Sequence, residues 1–217
     1  MSFYSKNKWF IIGGLGILGL GVLTAFLLES FTLVKNKNPK KILFLGDSIT
    51  IDNNSYANKI KKSFSDKDIT IKASIGKKTS WMLQSLKDLL KNNSYDRIYV
   101  YGGINDIFSG VSGNEALSNI QQIVNLGNEK GADVFVIEGV KPNGFMDINK
   151  MPLTQYISSK EDYLPIIEKY ADFQNNIKAI KNARLVKQFD LNNQTNDGIH
   201  PNNEGQNTIT KEILKTI

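Results

Sequence analysis

The chain contains no cysteine and one histidine, His200. The first absence excludes disulfides, thiolate metal sites and cysteine nucleophiles. It leaves the compartment open, because a cysteine-free domain suits either side of a membrane. The second means that a zinc site would have to be built from carboxylates, a poor match to the usual ligands of that ion. A clustered basic stripe with interleaved aromatics is also missing. The lysines are spread along the chain and the formal net charge is +6. Nucleic-acid binding therefore has no electrostatic footprint here, and the charge serves solubility and a weak preference for anionic surfaces. No internal repeat is found. What is present, 41% apolar and 22% charged residues, is the composition of a folded globular protein.

Charge is missing altogether from residues 9–28, WFIIGGLGILGLGVLTAFLL. Twenty uncharged residues span a bilayer core at a helical rise of about 1.5 Å per residue. A cleavable signal peptide would have a shorter apolar core and an A-x-A-like site, which this run lacks. We read 1–8 as a short tail, 9–28 as an uncleaved single-pass transmembrane anchor, and 29–40 as a polar tether. The short basic N-terminus, with Lys6 and Lys8, places the following domain outside the cytoplasm, although the lysines flanking the run on its other side pull the opposite way. Within the run, Gly14-Leu15-Gly16-Ile17-Leu18-Gly19 matches G-x-G-x-x-G. It has no strand before it and no amphipathic helix after it, so it is not a dinucleotide site.

From Lys41 to the C-terminus, about 180 residues remain, enough for one domain with a sizeable core. Short β-rich runs alternate with helical patterns, which predicts a parallel sheet with helices on its faces. Strands are expected at about 41–46, 69–74, 97–101, 133–138 and 184–189. Asp52 is a plausible N-cap for a helix carrying Tyr56, Ala57, Ile60 and Phe64 on one face, and Thr79 or Ser80 for the next. Ser112-x-x-Glu115 and Ser158-x-x-Glu161 have capping-box spacing. Pro201 suits the first turn of the last helix. The stretch 139–158 is long and irregular, and loops of that kind are often functional.

The reactive residues fall at the ends of these strands. Ser48 follows the first, Gly76 the second and Asn105 the third, while Asp197 and His200 follow the fifth. In an open parallel sheet the loops at the carboxyl ends share one edge, where ligands bind. A serine hydroxyl is a weak nucleophile unless an imidazole takes its proton, and an acid can hold that imidazole in the right tautomer. Backbone N–H groups and an asparagine amide can stabilise the oxyanion of a tetrahedral intermediate. Each short motif alone is an ordinary turn. Their order, each after its own strand, carries the functional reading.

Gly46-Asp47-Ser48-Ile49-Thr50 resembles the first sequence block of the SGNH/GDSL hydrolases, with isoleucine in place of leucine after the serine. Gly76 is similar to the lone glycine of the second block. Gly103-Ile104-Asn105-Asp106 is similar to the G-x-N-D third block, and Asp197-Gly198-Ile199-His200, followed by Pro201, to the D-x-x-H last block. The resemblance covers 41–217 in the family's order. It implies a three-layer α/β/α sandwich with a flavodoxin-like, five-stranded parallel sheet. It implies Ser48 as nucleophile, His200 as base and Asp197 as its orienter, in preference to Asp190, with Ser48, Gly76 and Asn105 forming the oxyanion hole. It also implies hydrolysis of an acyl ester, acetyl included, with no cofactor and no metal. Asp47 and Asp106 are read as fixing turns around the site. Specificity is expected from the loop 139–158, with Phe145, Met146 and Tyr156 either walling an acyl pocket or packing the loop down. An acyltransferase, or a catalytically silent membrane-tethered binding module, would share the same pattern. Partners are thus a lipid, carbohydrate or small-molecule ester and, through 9–28, the membrane.

Overall fold

A computed structural model describes residues 38–139, 147–153, 157–187, 190–191 and 193–217. The expected anchor at 9–28 and the pocket candidates Phe145, Met146 and Tyr156 lie outside them. Among the described residues, no helix is long and apolar enough to cross a membrane.

Five parallel strands form one sheet in the order β2-β1-β3-β4-β5. They are β1 (Lys41–Gly46), β2 (Asp68–Ala73), β3 (Arg97–Tyr101), β4 (Asp133–Ile137) and β5 (Arg184–Val186). The central strands carry near-continuous buried runs, Ile42 to Leu45, Ile98 to Tyr101 and Val134 to Ile137. Helices cover both faces of a parallel sheet, so neither face of such a strand can be polar. Edge strands β2 and β5 are only partly buried.

The connections explain the layers. From β1 the chain steps to β2 on one side, then crosses back to β3 and continues outward to β4 and β5. With right-handed crossovers, that reversal sets the helix between β1 and β2 on the face opposite the helices that follow β2, β3 and β4. Accordingly, α2 (Tyr56–Ser63) packs against the last helix, α7 (Asn203–Leu214). On the other face α3 (Thr79–Leu89), α5 (Gly113–Glu129) and α6 (Leu164–Asn176) pack in series. Phe44, Tyr99 and Phe135 are in register across β1, β3 and β4 and stack with ring centroids 5.0 and 5.1 Å apart. Each such pair stabilises by about 0.5–1.5 kcal/mol beyond its burial. The order reversal lies between β1 and β3, and a crevice opens there at the carboxyl ends.

Local chemistry departs from the expected capping at four helices. Ser55, rather than Asp52, caps α2 by accepting from the Asn58 N–H; Asp52 instead takes the Asn54 N–H, 2.7 Å. Neither Thr79 nor Ser80 caps α3. The Thr79 N–H and hydroxyl both donate to the Asp106 carboxylate, at 2.9 and 2.7 Å. Asn202 caps α7, and Pro201 lies just before it, bridged to Thr195. Ser112 caps α5 as its spacing predicts. At the second capping-box candidate, Asp162 reaches back to the Ser158 and Ser159 N–H groups, 2.8 Å each. A 3₁₀ turn, Glu161–Tyr163, then precedes α6. Strand limits shift by a residue at β2 and β4. β5 spans Arg184–Val186, and residues 188–189 of the expected strand lie outside the described residues.

Candidate active site

The crevice is walled by loops that leave β1, β2, β3 and β5. β1 ends at Gly46, where an added Cβ would lie 2.1 Å from Thr50 Oγ1, so only glycine allows the chain to turn this tightly. Asp47 follows and accepts the Ile49 N–H at 3.0 Å. It thereby caps the single turn α1 (Ser48–Ile51), and Ser48 is presented as its first residue.

His200 reaches Ser48 from the far end of the chain. The tight turn Asp197 to His200 is closed by one carboxylate oxygen, Asp197 Oδ1, which accepts the N–H groups of Ile199 (3.0 Å) and His200 (2.7 Å). Gly198 occupies the left-handed region at φ 78°, with the Asp147 carbonyl 2.6 Å from where a Cβ would stand. The second oxygen, Oδ2, meets His200 Nδ1 at 2.7 Å. The other ring nitrogen, Nε2, lies 3.0 Å from Ser48 Oγ. Acid, imidazole and hydroxyl thus form one hydrogen-bonded chain across 152 positions of sequence. Burial pushes the Asp197 carboxyl up, but the His200 N–H, the His200 ring and the Ile199 N–H together outweigh it, and its pKa falls below the usual aspartate value.

Gly76 lies at the turn after β2 with φ 70° and open space around it. Among the described residues, no protein group accepts from the N–H of Ser48 or of Gly76. Asn105 opens from the β3 end within α4 (Ile104–Phe108). Its amide is oriented inward and donates to Asp47 Oδ2 and to the Lys77 carbonyl, 3.2 Å each. Both amide hydrogens therefore have partners before any substrate arrives, and the Asp47 contact was not anticipated from sequence. Asp47 itself is 1% exposed. Burial raises its carboxyl to about 7, against the pull of the Ile49 N–H and of His200. Asp106 ties the end of the Gly76–Thr79 loop to α4 through Thr79.

Beside Ser48 and His200 opens a cavity of about 320 Å³, whose other walls include Ile49, Ile51, Ile75 and Pro201. Sequence reasoning had not singled out Ile51 or Ile75. The signal available was an isoleucine on each of two polar loops flanking the serine and the glycine. Among the described residues, no group of three or more His, Asp or Glu side chains is placed to hold a metal ion.

A parallel α/β sheet whose carboxyl edge gathers a serine, a histidine and an aspartate defines a hydrolase-type site. The profile of the GDSL-like lipase/acylhydrolase family matches residues 44–207. The chain belongs to that family and is an ester-hydrolysing enzyme. Comparison with curated protein sequences finds no match. Solved structures share the fold at low identity. A putative platelet activating factor from Streptococcus pneumonia is 21% identical, with a TM-score of 0.59 over 92% of this chain and 98% of that one. A lipolytic protein of the G-D-S-L family from Veillonella parvula is 15% identical, with a TM-score of 0.63 over 81% and 97%. The psychrotrophic esterase EstA from Pseudoalteromonas sp., in a structure inhibited by monoethylphosphonate, is 19% identical, with a TM-score of 0.57 over 81% and 95%.

Proposed function

We propose that this protein is a serine esterase in which Ser48 is the nucleophile, His200 the general base and Asp197 the group that orients His200. The observation that carries the reading is the continuous contact from Asp197 Oδ2 through the His200 ring to Ser48 Oγ, at 2.7 and 3.0 Å. With Nδ1–H held by the carboxylate, Nε2 is unprotonated and faces the hydroxyl. It takes the serine proton as Oγ adds to the ester carbonyl. The imidazolium then returns that proton to the leaving alkoxide, and water repeats the sequence to free the acid.

The carbonyl oxygen becomes an oxyanion within reach of the Ser48 and Gly76 N–H groups. Removing one such donor costs about 3 kcal/mol in comparable enzymes. Asn105 serves as the third donor in this reading. To do so it shares or releases the hydrogen that now rests on the Lys77 carbonyl, while Asp47 keeps the other. Residues 9–28 tether the domain to a membrane in the same reading, with the sheet's site outside the cytoplasm. Protease protection in spheroplasts tests that placement. For the chemistry, p-nitrophenyl ester hydrolysis by the wild type is compared with Ser48→Ala and His200→Ala. Loss of at least about 10³-fold in both supports the assignment, and retention in either removes it.

A further inference from the structure

We propose that the cavity beside Ser48 binds an aliphatic chain of the ester, and that Ile51 and Ile75 set the preferred chain length. The inference rests on the assignment of Ser48 above and adds the substrate class. Five large apolar side chains are strongly exposed among the described residues, and two of them, Ile51 (36%) and Ile75 (77%), line this one cavity. Exposed isoleucines scattered singly need no explanation. Two that converge from separate loops on the reacting serine form an apolar wall with nothing of the described chain covering it.

The cavity's polar groups argue against a sugar in the same space. Gln206 is turned inward, 3% exposed, accepting from the Tyr56 N–H at 2.8 Å and donating to the Ile49 carbonyl at 3.3 Å. Asp52 is exposed at the rim, where one of its oxygens accepts the Asn54 N–H; its charge disfavours an anionic ligand. Ser48 and His200 are committed to the reaction. A sugar ring would find Asp52 as an acceptor on one side only and would set its remaining hydroxyls against isoleucine and proline, which is costly. A methylene chain loses nothing there. The volume, about 320 Å³, is at the small end of ligand cavities, roughly 300–1,000 Å³, so the chain is short. Full burial of a methylene is worth about fourfold in binding; with Ile75 so open, two- to fourfold per methylene is expected.

The test uses the full chain in detergent and two substrate series. One varies the acyl group of p-nitrophenyl esters from acetate to octanoate. The other varies the alcohol of alkyl acetates from ethyl to hexyl. The wild type should gain two- to fourfold in kcat/KM per methylene in one series, then level off; which series rises identifies the side of the ester that the chain occupies. Ile51→Ser and Ile75→Ser should flatten that slope, read as the hexanoate-to-acetate or hexyl-to-ethyl ratio, and Ile75→Leu should restore it. Ser48-dependent hydrolysis with no slope in either series, or a slope unchanged in both serine variants, overturns the chain site alone. Hydrolysis that is absent or survives Ser48→Ala overturns the assignment of Ser48 and the chain site with it.

Discussion

Asp197→Asn separates the orienting role of this side chain from its structural role. Asp197 Oδ1 holds the turn by accepting two N–H groups, and an asparagine oxygen can do the same. What changes is the other branch. Oδ2 accepts from His200 Nδ1 at 2.7 Å, whereas an amide NH₂ there would donate. The ring answers by moving its proton to Nε2, the atom that must be free to accept from Ser48. In a fully buried triad this reversal costs about 10⁴-fold in kcat. Here the His200 and Asp197 side chains are 49% and 41% exposed. Water can satisfy either tautomer at such a site and weakens the preference, so about 10²-fold is expected. The assay is kcat/KM on a p-nitrophenyl ester at pH 8, alongside thermal melting of both proteins. The variant should melt close to the wild type while losing about 10²-fold in rate. A rate within threefold of wild type at unchanged melting temperature would refute the orienting role.

Further expectations concern the supports of the site. Asp47 has its folded pKa raised to about 7, so its contribution to stability is largest below the unfolded value of about 3.9 and declines as pH rises toward 7. The melting-temperature difference of Asp47→Asn relative to wild type should therefore become more favourable to the variant between pH 4 and 7; a difference independent of pH contradicts this. Asp197, with its pKa lowered, behaves in the opposite sense, stabilising above the unfolded value and losing that contribution as pH falls through its folded value. Asp106→Ala strands the Thr79 N–H and hydroxyl and should cost about 3 kcal/mol, or roughly 6–12 °C in melting temperature. Gly198→Ala meets both a left-handed backbone and the Asp147 carbonyl, and should lower kcat/KM by more than about tenfold. Gly76→Ala meets only the backbone cost of about 1–2 kcal/mol, keeps its N–H and should stay within about tenfold. Equal losses in parallel kinetics would count against the geometry assigned to these two turns.

The central strands could be read from sequence because β1, β3 and β4 are buried on both faces, which forces near-continuous apolar runs. Helix faces such as Tyr56, Ala57 and Ile60 were legible for a similar reason: burial imposes the helical period. Caps were less legible. Asp52 and Ser55 are both good cap residues three positions apart, and only the direction of the chain after α1 decides between them. Thr79 found its partner in Asp106, 27 residues away, beyond any local rule. At the site, Ser48, Asp197 and His200 could be picked out because the chain offers one histidine and because strand ends converge. The partners of the Asn105 amide were not legible, since they depend on where Asp47 and the Lys77 carbonyl lie in space. Nor was the cavity, because Ile51 and Ile75 are neighbours only after β1 and β2 have paired.

In the proposed reaction Ser48 is a nucleophile activated by His200. A fluorophosphonate probe followed by peptide mass spectrometry tests it without knowledge of the natural ester. One adduct is expected, on the peptide carrying Ser48, absent in Ser48→Ala and slowed at least about 10²-fold in His200→Ala. An adduct on another residue, or labelling of Ser48 at an unchanged rate without His200, would contradict it.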